Sequence, residues 1–227
     1  IALLVFLPFL RCRGLALPTR LAFAEIGAVQ FGLMYLAYNE SLRYLKSHEV
    51  AVLTLTTPLF VTLLADTFDR TFRFRALLAA VLAVIGGGVI VMKTAPSAGT
   101  VTGVLLIQFS NLAFAFGQVC YRRLRTQPAQ AALRDRDVFG LLYAGAFALT
   151  LPVSLARTNF SALPLNATNL GILLYLGLIA SGLGFFLWNL GATRVSAGTL
   201  AVLNNLKIPL AVAVSLDAGP SRPYGFW

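Results

Sequence analysis

The sequence contains the stretch LGLIASGLGFFLWNLGATRVSAGTLAVL at residues 176–203, and a similar stretch, IGAVQFGLMYLAYNESLRYLKSHEVAVL, 150 positions earlier at residues 26–53. Seven of the 28 aligned residues are identical, and with one residue inserted Pro58 also meets Pro209. Each stretch begins within an apolar run of about 20 residues, the length that spans a bilayer as a helix. The sequence therefore predicts an internal repeat of membrane-spanning helices. The identical pairs are Gly27 and Gly177, Gly32 and Gly182, Leu33 and Leu183, Asn39 and Asn189, Ala51 and Ala201, Val52 and Val202, and Leu53 and Leu203.

The composition agrees with a membrane protein. Of the 227 residues, 58% are apolar and 11% are charged, whereas soluble domains have about 45–50% apolar and about 25% charged residues. The net charge is +10, but Lys and Arg cluster at the ends of apolar runs, as in membrane proteins. We therefore expect a lipid bilayer as partner and no nucleic acid. Cys12 and Cys120 have neither metal-ligand nor disulfide-framework spacing.

Further apolar runs lie on both sides of the repeated stretches. Residues 1–10 form a run about half the length of a span, and seven longer runs come after it. The runs are continuous rather than alternating, which favours helices over strands. Residues 217–227 have no helical period, so both ends of the chain are those expected of a fragment. The seven predicted spans are residues 21–42, 50–68, 76–92, 101–121, 138–155, 170–190 and 199–216.

The loops predict the orientation of these spans. One alternating set of loops holds 12 of the Lys and Arg residues, and the other set holds 5. Because basic loops stay in the cytoplasm, residues 122–136 are predicted to be cytoplasmic. The two repeat copies start five spans apart, and an odd separation makes them cross the membrane in opposite directions. Inverted repeats of this kind are typical of secondary transporters.

Lys207 is the most informative polar residue within a predicted span. It lies near the middle of residues 199–216, where a charge costs about 2.5–3.5 kcal/mol on insertion scales. Asn204 lies on the same helix face and Asn205 is adjacent, while Pro209 frees a carbonyl one turn earlier. These groups suit a substrate with a carboxylate and an amide-like group. The alternative is a structural ion pair between Lys207 and a buried acid such as Glu25.

Two other polar groups are candidates for substrate binding. The first is a stripe along residues 101–121, with a spacing that places its members on one helix face; the alternative is helix packing. The second consists of Trp188, Asn189 and Ser181. Ser181 and Trp188 are seven residues apart, which places them on one helix face; the alternative is a tryptophan that anchors the helix at the membrane interface. In the first repeat copy the corresponding span carries Gln30, Tyr35 and Tyr38. The stripe consists of Gln108, Asn111, Phe114 and Gln118.

The sequence contains no motif of an enzyme. There is no GxxxxGK[ST] phosphate-binding loop, and a single histidine, His48, excludes HExxH and leaves no histidine within the spans for a Ser-His triad. We therefore expect no catalytic residue, no metal ligands and no cofactor.

Four segments of the chain are similar to those of a known family: LVFLPFLRCRG at 4–14, GAVQFGLMYL at 27–36, QFSNLAFAFGQVCYRRL at 108–124 and SGLGFFLWNLGATRVSAGTLAVLNNLKIP at 181–209. In them the chain resembles the EamA-type drug/metabolite transporters, and within these the branch that transports biotin. The resemblance covers nearly the whole chain to about residue 216. It implies a ten-helix bundle of two inverted five-helix repeats, lacking here the first helix, half of the second and the tenth. The implied domains are residues 1–93 and 100–216, with a non-helical or disordered tail at 217–227.

The resemblance implies a secondary transporter of the bacterial inner membrane that takes up biotin or another carboxylate metabolite. The branch has a histidine where this chain has Lys207, so the cationic residue expected to bind the substrate differs between them. The substrate is expected at the bilayer midplane between the two repeats. The alternatives are transport of an amino acid or another small metabolite and, from a different class, a seven-helix receptor. The oligomeric state is not predicted.

Overall fold

The computed structural model describes residues 1–12, 14–71, 74, 78, 82, 98–130, 132–163, 166–196, 199–200 and 203. Within these residues the chain is helical and contains no strand. Five of the helices are long and apolar enough to cross a membrane, by length and composition. We label the helices α1 (Ala2–Phe6), α2 (Leu17–Gly27 and Met34–Ser41, joined by Ala28–Leu33), α3 (Ser47–Leu53 and Thr57–Asp69, joined by Thr54–Thr56), α4 (Ala98–Arg125), α5 (Asp135–Arg157) and α6 (Ala167–Tyr175 and Phe185–Ala192, joined by Leu176–Gly184).

The helices α2 to α6 confirm five of the predicted spans, with ends that extend two to four residues beyond most of the predicted limits. The first apolar run forms the short helix α1 and a 3₁₀ turn at Leu7–Phe9, in agreement with half a span. Most of the predicted spans 76–92 and 199–216, and all of the tail 217–227, lie outside the described residues. The ten-helix inverted architecture stays a prediction.

The chain divides into two compact units. The first contains Ile1–Leu36 and Phe116–Val195, and the second contains Ala37–Ala115 with the described part of Ser196–Trp227. Each unit therefore takes segments from both predicted repeats.

In the first unit, α2 and α5 pack with their backbones in close approach. A Cβ atom at Gly27 would overlap the carbonyl of Leu142, and one at Gly145 would overlap the carbonyl of Ala24. Glycine at both positions removes these obstacles, and small residues of this kind mark helix interfaces in membranes. The contact is backbone to backbone, so even one additional methyl group would force the helices apart.

The first unit also contains an aromatic cluster. Phe6 of α1 contacts Phe139 and Tyr143 of α5, both at a ring-centroid distance of 5.5 Å, and Phe186 of α6 at 5.1 Å. Tilted and edge-on rings at these distances are favourable. The cluster links α1, α5 and α6.

The second unit has its own apolar cluster around the connection between α2 and α3. Its buried members are Leu45, Val50, Leu53 and Ile107, with Tyr38 and Val104 packed against them. Ile107 belongs to α4, so this cluster holds α4 against the start of α3. Next to it, Gly103 leaves space for the side chains of Leu45 and Tyr44.

The two repeat copies share local features that the sequence did not predict. Each contains a π-helical segment, Ala28–Leu33 in α2 and Leu176–Gly184 in α6, and an offset of 150 brings the first inside the second. The connections after these helices also match in their backbone hydrogen bonds: Tyr44 to Ser41 with Arg194 to Gly191, and Val50 to Lys46 with Leu200 to Ser196.

The connection between α4 and α5 is fixed by Arg125. Its guanidinium donates to Asp135 Oδ1 at 2.9 Å and to the carbonyls of Gln130 and Leu133 at 2.8 and 2.9 Å. Tyr121 donates to the same carboxylate oxygen. The side chain of Arg125 is 7% exposed, and a buried charge of this kind requires such partners.

Candidate functional site

In the first unit, a buried amide pair joins α2 to α6. Gln30 lies in the π segment of α2, and its Nε2 donates to Asn189 Oδ1 at 3.0 Å. Asn189 in turn donates to the Phe185 carbonyl at 2.9 Å. Both amides are fully buried, and Gln30 Oε1 has no hydrogen-bond partner among the described residues. A buried acceptor without a donor is unusual in a folded protein and is available to a ligand.

A second polar contact lies next to it. Tyr35 of α2 and Ser181 of α6 share a hydrogen bond between their hydroxyl oxygens at 3.0 Å. The hydroxyl of Tyr143 in α5 donates towards the carbonyl oxygens of Ser181 and Gly182, at 2.6 and 2.8 Å. Residues from three helices therefore meet at the π segment of α6.

Trp188 precedes Asn189 in α6. Its indole Nε1 is buried and has no acceptor among the described residues. The spacing of seven residues that placed Ser181 and Trp188 on one face assumes 3.6 residues per turn. That assumption is wrong here, because Leu176–Gly184 is π-helical. In the structure Ser181 contacts Tyr35, and the neighbour of Trp188, Asn189, contacts Gln30.

The polar stripe of α4 is divided between the two units. In the second unit, Gln108 accepts a hydrogen bond from Thr56 at 2.6 Å, and Asn111 donates to the Leu53 carbonyl at 2.9 Å. Both contacts are with α3 at its 3₁₀ turn, which supports a packing role for these two side chains. Phe114 is half-buried.

Gln118, in the first unit, is fully buried. The preceding Gly117 allows a close approach, because a Cβ atom there would overlap the side chain of Gln30. Gly117 thus sets where Gln30 lies against α4. The described contacts of the stripe residues therefore lie in different units, and their role in substrate binding stays a prediction.

The break in α3 shows what a proline does at this point of the repeat. Pro58 has no N–H group to donate to the Thr54 carbonyl. That carbonyl instead accepts from the backbone N–H of Thr57 and from the Thr57 hydroxyl, the latter at 2.7 Å. The second copy has Pro209 at the aligned position. Lys207, Asn204 and Asn205 lie outside the described residues, so their roles stay predictions. Glu25 is exposed, contrary to the expectation that it is a buried acid.

An open cavity of about 360 Å³ lies in the second unit at the connection between α2 and α3. It is lined by Leu42, Arg43, Tyr44, Leu45, Lys46, Glu49 and Thr100. None of the predicted site residues that the structure describes is among them. Among the described residues no group of three or more His, Cys, Asp or Glu side chains could hold a metal ion.

Comparison with known proteins identifies the family. The model of a family described as "EamA-like transporter family" matches residues 1–92. The "Biotin transporter" of Escherichia coli (strain K12) is 39% identical over 226 residues, which cover 99% of this chain and 74% of that protein. The chain belongs to the EamA-like transporter family. A "Probable biotin transporter" of Pseudomonas aeruginosa is 40% identical over 214 residues, covering 94% of this chain and 74% of that protein.

A solved crystal structure shares the fold of this EamA-like transporter. It has 21% sequence identity and a TM-score of 0.62, and the match covers 99% of this chain and 88% of that one. At this level of identity the likeness concerns the fold alone. Membership of the family confirms a transporter rather than an enzyme.

Tyr143 of this EamA-like transporter was not predicted from the sequence as a site residue, although it contacts the same segment of α6 as Tyr35 does. Tyr143 is buried at 5% exposure and contacts the backbone of α6. In the sequence it is one aromatic residue in an apolar run, which gives no sign of a hydroxyl partner. The carbonyls that it contacts belong to the π segment of α6, and neither π segment has a recognisable sequence signature.

Proposed function

We propose that this protein is a secondary transporter that takes up biotin across the bacterial cytoplasmic membrane. The observation that carries the proposal is the identity of 39–40% with biotin transporters, which extends over nearly the whole chain. Five apolar helices long enough to span a bilayer fit a multi-pass membrane protein. Transport of an amino acid or another metabolite is the alternative, and no described residue favours it.

The polar groups suit the chemistry of biotin. Biotin has a carboxylate, which Lys207 would bind, and a ureido group with both N–H donors and a carbonyl acceptor. Gln30 Oε1 is a buried acceptor and Trp188 Nε1 a buried donor, both without partners among the described residues. These two atoms complement a ureido group, which removes the penalty of leaving each buried and unpaired.

The other predicted site residues take supporting roles in this proposal. Asn204 and Asn205 would add amide contacts to the ureido group, and Phe114 and Trp188 would pack on the fused rings. Tyr35 is engaged with Ser181, and Gln108 and Asn111 with α3, so each would position neighbouring groups or change partner during transport. Gln118 would lie near Gln30, which contacts the adjacent Gly117.

The proposed architecture is the ten-helix bundle of two inverted repeats, formed by residues 1–93 and 100–216, with biotin at the midplane between them. The shared π segments and the matching connections after α2 and α6 support the repeat. Its inverted sense is inferred from the odd number of spans that separates the copies.

Uptake of labelled biotin tests the function. Expression of the protein in a bacterial strain without biotin transport should give saturable uptake. An excess of unlabelled biotin should abolish the uptake, and an excess of biotin methyl ester should leave most of it, because the ester lacks the carboxylate. No uptake above the empty-vector control, or equal competition by an amino acid mixture, would overturn the proposal.

The role of Lys207 is tested by replacing it with Met, which keeps the bulk and removes the charge. A charge-assisted hydrogen bond is worth about 1.5–3 kcal/mol, so Lys207→Met should raise the KM for biotin roughly 10- to 150-fold. Lys46→Met is the matched control, because Lys46 is exposed at the connection after α2, and its KM should be that of the wild type.

The structural alternative predicts a different result. If Lys207 only pairs with Glu25, Lys207→Met should reduce membrane abundance by leaving an unpaired acid, and an added Glu25→Gln should restore it. A normal KM per folded transporter in Lys207→Met would contradict carboxylate binding.

A further inference from the structure

Tyr143 of α5 contacts the backbone of α6 within its π segment. The hydroxyl approaches two consecutive carbonyl oxygens, that of Ser181 at 2.6 Å and that of Gly182 at 2.8 Å. Both belong to Leu176–Gly184. A π turn closes its hydrogen bonds over five residues instead of four, and such turns are rare and frequent at functional sites. The hydroxyl supplies a donor to carbonyls whose helical geometry is irregular.

The ring of Tyr143 is itself held by α2. It stacks on Phe31, a residue of the π segment of α2, with centroids 5.4 Å apart and an interplanar angle of 24°. Phe31 stacks in turn on Phe185 of α6 at 4.9 Å and 21°. Tyr143 is nearly fully buried, and the stacking of its ring fixes the direction of its hydroxyl.

The π segment determines which way the end of α6 faces. Each residue of a regular helix advances the chain by about 100°, so conversion of π turns to α turns would rotate the C-terminal part of α6. This part, Phe185–Ala192, carries Trp188 and Asn189. Asn189 reaches Gln30 in the register that the π segment provides.

We propose that Tyr143 is a positioning residue for substrate binding. By holding the carbonyls of Ser181 and Gly182, it keeps α6 in its π-helical register and fixes the directions of Trp188 and Asn189. Tyr143 does not touch the substrate. The link to binding rests on the proposed function, because it assigns Trp188 and Gln30 to the biotin site.

Disulfide crosslinking between the two helices tests the geometry independently of the substrate. The probe is a Gln30→Cys, Asn189→Cys pair in a background without Cys12 and Cys120, linked in native membranes by a short bifunctional methanethiosulfonate, because the two amide side chains meet at their ends. Yield is expressed per chain that extracts as a monodisperse species, so loss of folded protein does not enter the result. Tyr143→Phe keeps the ring and removes the hydroxyl, and it should lower the yield at least threefold.

Two control variants separate the hydroxyl from other causes. Tyr175→Phe removes an exposed hydroxyl from α6 and should leave the yield unchanged. Ser181→Ala removes the side-chain contact with Tyr35 but keeps the carbonyl that Tyr143 contacts, and it should also crosslink like the parent. An unchanged yield in Tyr143→Phe, or an equal loss in Ser181→Ala, would overturn the proposal.

Biotin uptake then tests the consequence for binding, in protein with Gln30 and Asn189 intact. Tyr143→Phe should raise the KM about 3- to 10-fold while Vmax per folded transporter changes less than twofold, a split that a general loss of stability does not produce. Reduced crosslinking with an unchanged KM would overturn the role in binding. Absence of biotin uptake by the wild type would instead overturn the proposed function, and the crosslinking result would still decide whether Tyr143 fixes the register.

Discussion

The helices α2 and α6 occupy corresponding places in the two repeat copies, but they are buried to different extents. Both contain a π segment at the same position of the repeat, and both lead into connections with matching backbone hydrogen bonds. In α2, 44% of the most apolar window is buried among the described residues, whereas in α6 the value is 6%. Among the described residues, the two helices therefore share a local backbone but differ in their neighbours.

The difference arises from what each helix meets at the same repeat position. Gly27 of α2 faces the backbone of Leu142, while its counterpart Gly177 faces the side chain of Ile1. Gln30 is buried against α4 and α6, while the aligned Ala180 is exposed. The two copies thus share the π turn, while the neighbours that each helix meets determine how far it is buried.

The largest effect is expected from adding a methyl group at Gly27. Gly27→Ala would force the backbones of α2 and α5 apart, and overpacking of this kind destabilises by about 1–3 kcal/mol or more. Gly177→Ala should cost less, at the lower end of this range, because its Cβ would meet side-chain atoms of Ile1 rather than a backbone carbonyl. Thermal unfolding in detergent measures both, and equal losses would show that α2 and α6 are packed alike.

A smaller effect is expected where the aligned asparagines differ. Asn189→Leu removes the acceptor of Gln30 Nε2 and leaves a buried amide unpaired, at a cost of about 1–2 kcal/mol. Asn39 is exposed, so Asn39→Leu should unfold at the wild-type temperature. If the two variants lose equal stability, the contact between Gln30 and Asn189 does not stabilise the protein.

The smallest effects concern the helix starts after the two connections. In the first copy Glu49 accepts a hydrogen bond from the Lys46 N–H at 2.8 Å, and in the second the Ser196 hydroxyl oxygen accepts one from the Thr199 N–H at 3.1 Å. Glu49→Ala and Ser196→Ala should each cost about 0.5–1 kcal/mol. Lys46→Ala should leave the stability unchanged, because a lysine side chain has no acceptor atom that could cap the helix. If Lys46→Ala destabilises the protein as much as Glu49→Ala does, the Glu49 carboxylate is not the group that stabilises this helix start.

The sequence predicted the helices of the described residues and missed what joins them. Continuous apolar runs predicted α2 to α6, because burial in lipid demands such runs. Polar residues within two spans that the repeat pairs identified Gln30 and Asn189 as candidates, but not their contact, because the π segments change the helical period. Tyr143 was missed because its hydroxyl contacts backbone atoms, whose positions depend on that same irregular period.

The central claim is that this EamA-like transporter carries biotin, and transport by the purified protein tests it most directly. Proteoliposomes that contain the protein and unlabelled biotin inside should exchange it for labelled biotin outside, with saturation and with strong inhibition by external unlabelled biotin. Protein-free liposomes provide the background. The account predicts exchange that Gln30→Leu weakens by raising the KM. Exchange no faster than in protein-free liposomes, from protein that is folded and inserted, would contradict it.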